Sequence, residues 1–255
     1  MIEQKNNATL RSNVPLQTES IAIDPLGDGI SSVTLVRASG SDVDVVNAAR
    51  VSYGKVVTEI TDKDIKLIHY LMRHNHTSPF EHNQLSFRIK CPLYVARQWM
   101  RHRMNSYNEI SYRYVQAKDE FYQPRVWRAP DEMNKQSSGG SINNPEIDTA
   151  YADALKHALQ AYNALLAAGV CREQARGVLP MCTYTEFIFT CNLHSLCHFL
   201  KLRLGQGAQH EIQLYAQALL RLAAPHFPVS LGAWKELHMP EFDLSLCGLE
   251  NLLGD

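Results

Sequence analysis

The chain carries almost no net charge, and that absence is the first constraint on what it can do. Twenty-five Lys and Arg stand against 26 Asp and Glu, leaving −1 with the histidines neutral. A molecule-wide basic field, which duplex nucleic acid demands, is therefore excluded, and any anion site has to come from local clustering. Long apolar runs are missing too: no stretch reaches the roughly 20 residues that span a bilayer. Met1 to Glu19 is polar and mixed in charge, unlike a secretory signal, so the expectation is a soluble, cytoplasmic protein with no membrane partner. Cysteine pairs are absent. The six cysteines (Cys91, Cys171, Cys182, Cys191, Cys197, Cys247) include no C-x-x-C, and a chain of 255 residues needs no disulfide staples, so they are expected as reduced, mostly buried thiols. There is no Walker A loop. Gly205-Gln206-Gly207 opens like a dinucleotide fingerprint, but His210 takes the third glycine position and no strand precedes it.

What is present is a globular composition, 45% hydrophobic, 20% charged and 9% aromatic, which rules out disorder as the overall state. Residues 1–30 read as a lead-in, with a first strand at 33–36. Thr61 and Asp64 form a capping pair ahead of Ile65, Ile68, Leu71 and Met72, predicting a helix to about His74. Leu85, Phe87 and Ile89 alternate with Ser86, Arg88 and Lys90 as in a half-buried strand, stopped by Cys91-Pro92. A helix then follows from Leu93 to about Arg101. The polar, turn-rich stretch 130–144 reads as a surface loop. Asn144-Pro145 opens a long helix through Leu155, Leu159, Tyr162 and Leu166 that Gly169 ends. Shorter helices are expected near 171–178, 192–204 and 208–224. Strands early and helices late predict an α+β or irregular α/β fold, a single domain over 1–255 with a sheet core packed by helices.

Several groups could carry chemistry. His74, His76 and His82 with Glu81 are metal-ligand types, but their spacing matches no standard site, so surface or substrate contact is the reading and no metal is expected. Cys197-His198 suggests a thiolate and its base, yet helical neighbours point about 100° apart, and a buried structural cysteine is the better reading. The densest signal lies between Arg97 and Arg113, where four arginines and one glutamate are interleaved with Trp99, Ile110 and Tyr112. Arginine's planar fork grips phosphate bidentately, so this segment is read as an anion site. Single-stranded nucleic acid would be recognised by a similar mixture, and a nucleic-acid binding module is the competing reading. A second set, Arg172, Arg176 and Arg203, lies on the later helices, the last beside His194 and His198.

Arg101-His102-Arg103, seven residues and then Ser111 form an R-H-R-x7-S pattern, and with it the chain resembles the flavin-dependent thymidylate synthases. Further landmarks fall in the same order: Ala48-Ala49-Arg50-Val51-Ser52, His76-x-Ser78-Pro79-Phe80-Glu81-His82, Ala175-Arg176-x-x-Leu179-Pro180, and Leu202-Arg203 followed by Ala208-Gln209-x-Glu211-Ile212. The resemblance spans about 33–235 and leaves both ends and 130–144 as additions. His194, His198, Gly205 and Gly207 depart from residues the family often carries there.

The resemblance implies that fold and a reductive methylation: dUMP to dTMP, with methylenetetrahydrofolate as carbon donor and NADPH-reduced FAD as hydride source, releasing tetrahydrofolate. It implies flavin contacts at Ser78, Arg101, His102, Arg103, Met104, Glu109, Asn192, Leu193, His194 and His198. It implies nucleotide contacts at Gln98, Arg101, Glu109, Ser111, Arg113, Arg176 and Arg203. Arg203 matches the cation set against the uracil edge, where negative charge develops as C5 becomes nucleophilic. No protein nucleophile is required. A homotetramer with active sites at subunit junctions is implied as well.

Overall fold

The structure is a computed structural model that describes residues 21–132 and 138–253. In chain order these run through β1 (Ala22–Ile23), β2 (Ser32–Ser39), α1 (Asp42–Arg50), α2 (Asp62–Arg73), β3 (Gln84–Pro92), α3 (Leu93–Trp99), β4 (Ser106–Glu109), β5 (Trp127–Pro130), β6 (Ser138–Ile142), α4 (Pro145–Ala167), α5 (Arg172–Ala175), β7 (Tyr184–Cys191), α6 (Leu193–Arg203), α7 (His210–Ala223), α8 (Pro228–His238) and α9 (Glu250–Leu253). Five strands form one antiparallel sheet in the order β1-β2-β3-β7-β4. The alternation expected for β3 is realised: Leu85, Phe87, Ile89 and Cys91 are buried, while Arg88 is exposed. Register places Phe87 opposite Phe189, with ring centroids 6.2 Å apart. On the other face Ser86 and Thr190 hydroxyls meet at 2.9 Å. Cross-strand pairs of this kind fix the register.

Helices α3, α6 and α7 cover the apolar face. Trp99, fully buried, sits among Phe187, Phe189, Phe199 and Tyr215 with ring centroids at 5.5, 5.6, 4.8 and 5.8 Å. Each such aromatic contributes about 1.5–3 kcal/mol by burial. The cluster therefore locks the end of α3, from which the R-H-R segment departs. Helix starts follow local chemistry: Asp64 accepts from the Thr61 N–H at 3.0 Å, and Asn144 and Asn192 accept from the N–H of Glu146 and Ser195 at 3.0 and 2.8 Å. Gly169, at φ +85°, closes the long helix as its position requires. Asp42 caps α8 from a distance, accepting from the N–H of Val229 and Ser230 at 2.8 and 3.0 Å.

Three expectations need correction. The 130–144 stretch is at the surface, but Ser138–Ile142 form β6 and pair with β5; residues 133–137 lie outside the described residues. All five β6 residues are exposed, so no face is apolar and no alternation marks the strand. Of the 1–30 lead-in, 1–20 lie outside the described residues, and Ala22–Ile23 already pair with β2. The later half also supplies an interior strand of the sheet, β7, between β3 and β4. In β7 Thr185, Phe187, Phe189 and Cys191 are buried while Glu186, Ile188 and Thr190 are not, but the threonines on both faces and the exposed Ile188 blur the apolar/polar alternation that marks a strand.

Candidate active site

The loop leaving α3 and the outer face of α6 enclose a cleft of about 820 Å3, walled by Arg101, His102, Arg103, Met104 and Asn105 on one side and by His194, Ser195, His198, Leu202 and Arg203 on the other. Gly207 and Ala208 complete the rim. The loop is pinned by its own backbone: the His102 carbonyl accepts from Asn105 Nδ2 at 3.0 Å and from the Tyr107 hydroxyl at 2.8 Å. The His102 ring, 7% exposed, packs on Phe199 at 4.8 Å and His198 at 5.7 Å.

Arg203 is fixed by two acceptors. Its Nε donates to His102 Nε2 at 3.0 Å and its Nη2 to the Gln98 carbonyl at 2.9 Å. Accepting at Nε2 places the proton of a neutral His102 on Nδ1. Burial, followed by the neighbouring charges of Arg203, His198 and Arg101, pushes the His102 pKa down to about 4. The ring is therefore a neutral acceptor at physiological pH. Among the described residues, neither Arg101, Arg103 nor Arg203 forms an ion pair with a carboxylate. Three unneutralised guanidiniums at one cleft make an anion site.

Behind Arg203 runs a hydrogen-bonded chain that sequence reasoning did not foresee. Gln98 Nε2 donates to Gln209 Oε1. Gln209 Nε2 donates to Glu211 Oε2 at 2.7 Å, and Arg128 Nη2, from β5, donates to Glu211 Oε1 at 2.7 Å. Glu211 is 1% exposed. Burial raises its pKa, but the hydrogen bonds and charge of Arg128, with Gln209, outweigh that and hold the carboxyl below its ordinary range. Gln209 and Glu211 belong to a recognised landmark without an assigned role; a lone Glu on the otherwise apolar side of α7 was the available signal. Arg128 had none.

The other expected nucleotide contacts lie elsewhere on the chain. Gln98, Glu109, Ser111, Arg113 and Arg176 are not among the walls of the cleft, although the Gln98 carbonyl accepts from Arg203 at its edge. β4 carries the chain away from Asn105, and six residues of extended chain reach roughly 20 Å to Ser111. Glu109 Oε1 accepts from the Thr185 hydroxyl at 2.6 Å. Ser111 Oγ accepts from the Arg113 N–H at 3.3 Å, and Arg113 pairs with Glu173 on α5 at 2.9 Å, next to exposed Arg176. One chain thus presents two arginine groups at opposite ends of β4.

Of the remaining expected flavin contacts, His194 and His198 line both the cleft and a smaller cavity of about 200 Å3 that also meets His76 and Lys201. Met104 is 86% exposed at the cleft wall. Ser78 is exposed at the start of a 3-10 turn, and Asn192 caps α6. Leu193 has a fully buried side chain and an N–H that donates to Asn83 Oδ1 at 2.7 Å, so it anchors the start of α6. The His74 ring lies tilted 4.3 Å from Tyr70 and the His76 ring stacks on it at 6.0 Å, and among the described residues no cluster of three or more His, Cys, Asp or Glu is placed to hold a metal ion. All six cysteines are free and only Cys171 is exposed; burial pushes the Cys197 thiol far above its ordinary pKa. Such burial disfavours the thiolate that a nucleophilic cysteine needs.

Comparison with known proteins gives concordant matches. Residues 34–229 match the model of the family described as thymidylate synthase complementing protein. A flavin-dependent thymidylate synthase of Thermus thermophilus is 46% identical over 222 residues, covering 87% of this chain and 82% of that protein. That of Kosmotoga olearia is 44% identical over 206 residues, covering 79% and 89%. Among solved structures, the UMP/dUMP methylase PolB from Streptomyces cacaoi bound with 5-Br dUMP superposes with a TM-score of 0.75 at 35% identity, covering 81% of this chain and 95% of that one.

Proposed function

The chain belongs to the flavin-dependent thymidylate synthase family, and from that membership we propose that it converts dUMP to dTMP, taking a methylene group from methylenetetrahydrofolate and reducing equivalents from NADPH. The observation that carries this reading is Arg203, held rigid between His102 and Gln98 at the wall of a cationic cleft.

The residues present fit a flavin nucleotide. The cleft volume lies within the range of cofactor pockets. Arg101 and Arg103 supply cations for a pyrophosphate, and the buried amide oxygen of Asn105 has no partner and suits an N–H or hydroxyl donor. His194 and His198 stand on the opposite wall. When bound, FAD supplies the hydride that completes the methyl group.

The protein's own part is to bind, orient and stabilise. Two of the five N–H donors of Arg203 are used inside the protein, leaving three for the nucleotide base, where a fixed cation stabilises the negative charge that makes C5 nucleophilic. Because His102 is neutral and accepts, it orients this cation without competing with it. Arg113 and Arg176 suit the nucleotide phosphate: the exposed Arg113–Glu173 pair is worth at most about 1 kcal/mol and is readily exchanged for a stronger anion. Ser111 keeps its hydroxyl hydrogen for the same phosphate, and Glu109 keeps Oε2 for a nucleotide hydroxyl. With the two arginine groups apart in one chain, each complete site draws one group from each of two subunits, within a homotetramer.

The folate product tests this reading. A flavin-borne hydride leaves folate as tetrahydrofolate, whereas folate acting as its own reductant leaves as dihydrofolate. Chromatography of the reaction with NADPH, and no dihydrofolate reductase present, should show tetrahydrofolate formed in step with dTMP. Dihydrofolate formed one-for-one with dTMP would refute it.

A further inference from the structure

We propose that Glu211 and Gln209 are positioning residues that set the amide of Gln98 with its oxygen toward the bound base, so that Gln98 reads the N3–H of uracil and rejects cytosine. The proposal rests on the preceding reading of the cleft as the nucleotide site, and goes beyond it in deriving base selection from residues that touch no ligand.

The direction of each amide is dictated from one end. Glu211 is an ionised carboxylate and can only accept. It accepts from Arg128 at one oxygen and from Gln209 Nε2 at the other, both at 2.7 Å. Gln209 must therefore present its NH2 to Glu211, which turns its Oε1 toward Gln98. An oxygen there demands a donor, so Gln98 must present Nε2 to Gln209. Its own Oε1 is left over, and among the described residues it accepts no hydrogen bond and is not sealed from solvent. Gln98 is also the residue whose backbone carbonyl holds Arg203 at 2.9 Å, so the residue that bears this leftover acceptor is tied directly to the cation assigned to the base.

Uracil and cytosine differ where this matters. The N3 of uracil carries a hydrogen and donates; the N3 of cytosine carries a lone pair and accepts. Arg203 cannot tell them apart, since a guanidinium donates to a ring carbonyl of either base. Gln98 can, because turning its amide to donate to cytosine would oppose two amide oxygens at Gln209, and Gln209 cannot turn in response without facing its own oxygen to the Glu211 carboxylate. Selectivity is thus the cost of breaking the relay, on the scale of one buried hydrogen bond, or about tenfold.

The test is nucleotide binding to the flavin-loaded protein, with dUMP and dCMP as probes. In Gln209→Met, which keeps the side-chain length and leaves Arg128 and Glu211 paired, Gln98 is free to turn. Affinity for dCMP should rise about tenfold, while affinity for dUMP changes less than about threefold. A merely structural role for Gln209 would weaken both together. Should that variant not fold, Gln98→Met gives the same collapse of selectivity by the opposite arm, weakening dUMP about tenfold with little change for dCMP. A dUMP-to-dCMP preference that stays within about threefold of wild type in a folded variant would overturn the relay. Wild-type protein that binds neither nucleotide would instead overturn the assignment of the cleft.

Discussion

Removing Arg128 should expose how much of the fold depends on one buried charge. Glu211 is 1% exposed, and its carboxylate accepts from Arg128 at 2.7 Å, Gln209 at 2.7 Å and the Tyr122 hydroxyl at 3.4 Å. Arg128→Met keeps the apolar stem and deletes the cation paired with that carboxylate. Breaking a buried pair from one side costs about 3–5 kcal/mol because the surviving charge is stranded. At roughly 2–4 °C per kcal/mol for a chain of this size, Tm should fall by about 6–20 °C. The pH dependence identifies the cause. In the wild type, Arg128 and the hydrogen bonds hold the Glu211 carboxyl below its ordinary pKa, so this stabilisation is present above the ordinary value and lost only as pH falls through the lower folded one. In the variant, burial dominates and the folded pKa lies above the ordinary value, so the folded variant gains relative to its unfolded state as protons are taken up. The Tm gap should therefore narrow from pH 8 to pH 5. Calorimetry at matched flavin loading and ionic strength measures both. A loss under about 2 °C, or a gap that stays constant or widens on acidification, would refute the stranded-charge argument. Arg128→Met with Glu211→Leu should recover much of the loss, since a buried pair replaced by apolar groups is often neutral.

Arg203→Ala should lower kcat/KM for dUMP by roughly 10²–10³, the scale of one preorganised charge donor, and unchanged steady-state kinetics would make Arg203 structural only. Cys197→Ser should stay within about threefold of wild-type turnover, because the thiol is buried and protonated and neighbours on a helix do not face each other; a thousandfold loss with flavin still bound would restore a nucleophilic role. His102 has a pKa lowered to about 4, so its neutral form and its bond from Arg203 persist from pH 8 to about pH 5 and are lost below that. Binding titrations should show dUMP affinity flat over the upper range, and a loss centred near the ordinary histidine pKa of about 6.5 would contradict the buried acceptor.

What the sequence made legible was local. The capping pair of α2, the alternation of β3 and the Asn144-to-Gly169 bounds of α4 each depend on residues within a turn or two, and each lies where expected. The R-H-R segment was legible because its chemistry is consecutive. What was hidden is what long-range pairing decides. β7 becomes an interior strand through its register with β3 and β4, and β6 is a strand only because β5 lies beside it. Arg128 and Glu211 are 83 positions apart, and Gln98 and Gln209 are 111 apart, so neither pair leaves a spacing that a pattern could catch. Leu193 shows a related limit: His194, the next residue, lines the cleft, but helical rotation turns the Leu193 side chain into the core.

The same geometry gives the R-H-R-x7-S spacing a physical meaning. On a helix the eight steps from Arg103 to Ser111 would rise only about 12 Å, and the motif would describe a single pocket. Here the intervening residues include β4, whose Ser106–Glu109 pair along β7, and an extended chain separates the two ends by roughly twice that distance. Arg101 and Arg103 are committed to the α6 cleft. Ser111 and Arg113 are committed to the α5 end, tied there by Glu173. A strand pinned by backbone hydrogen bonds cannot fold back to join them without abandoning its ladder. The two ends of the motif therefore serve different faces of one chain, which is the arrangement that the proposed two-subunit site requires.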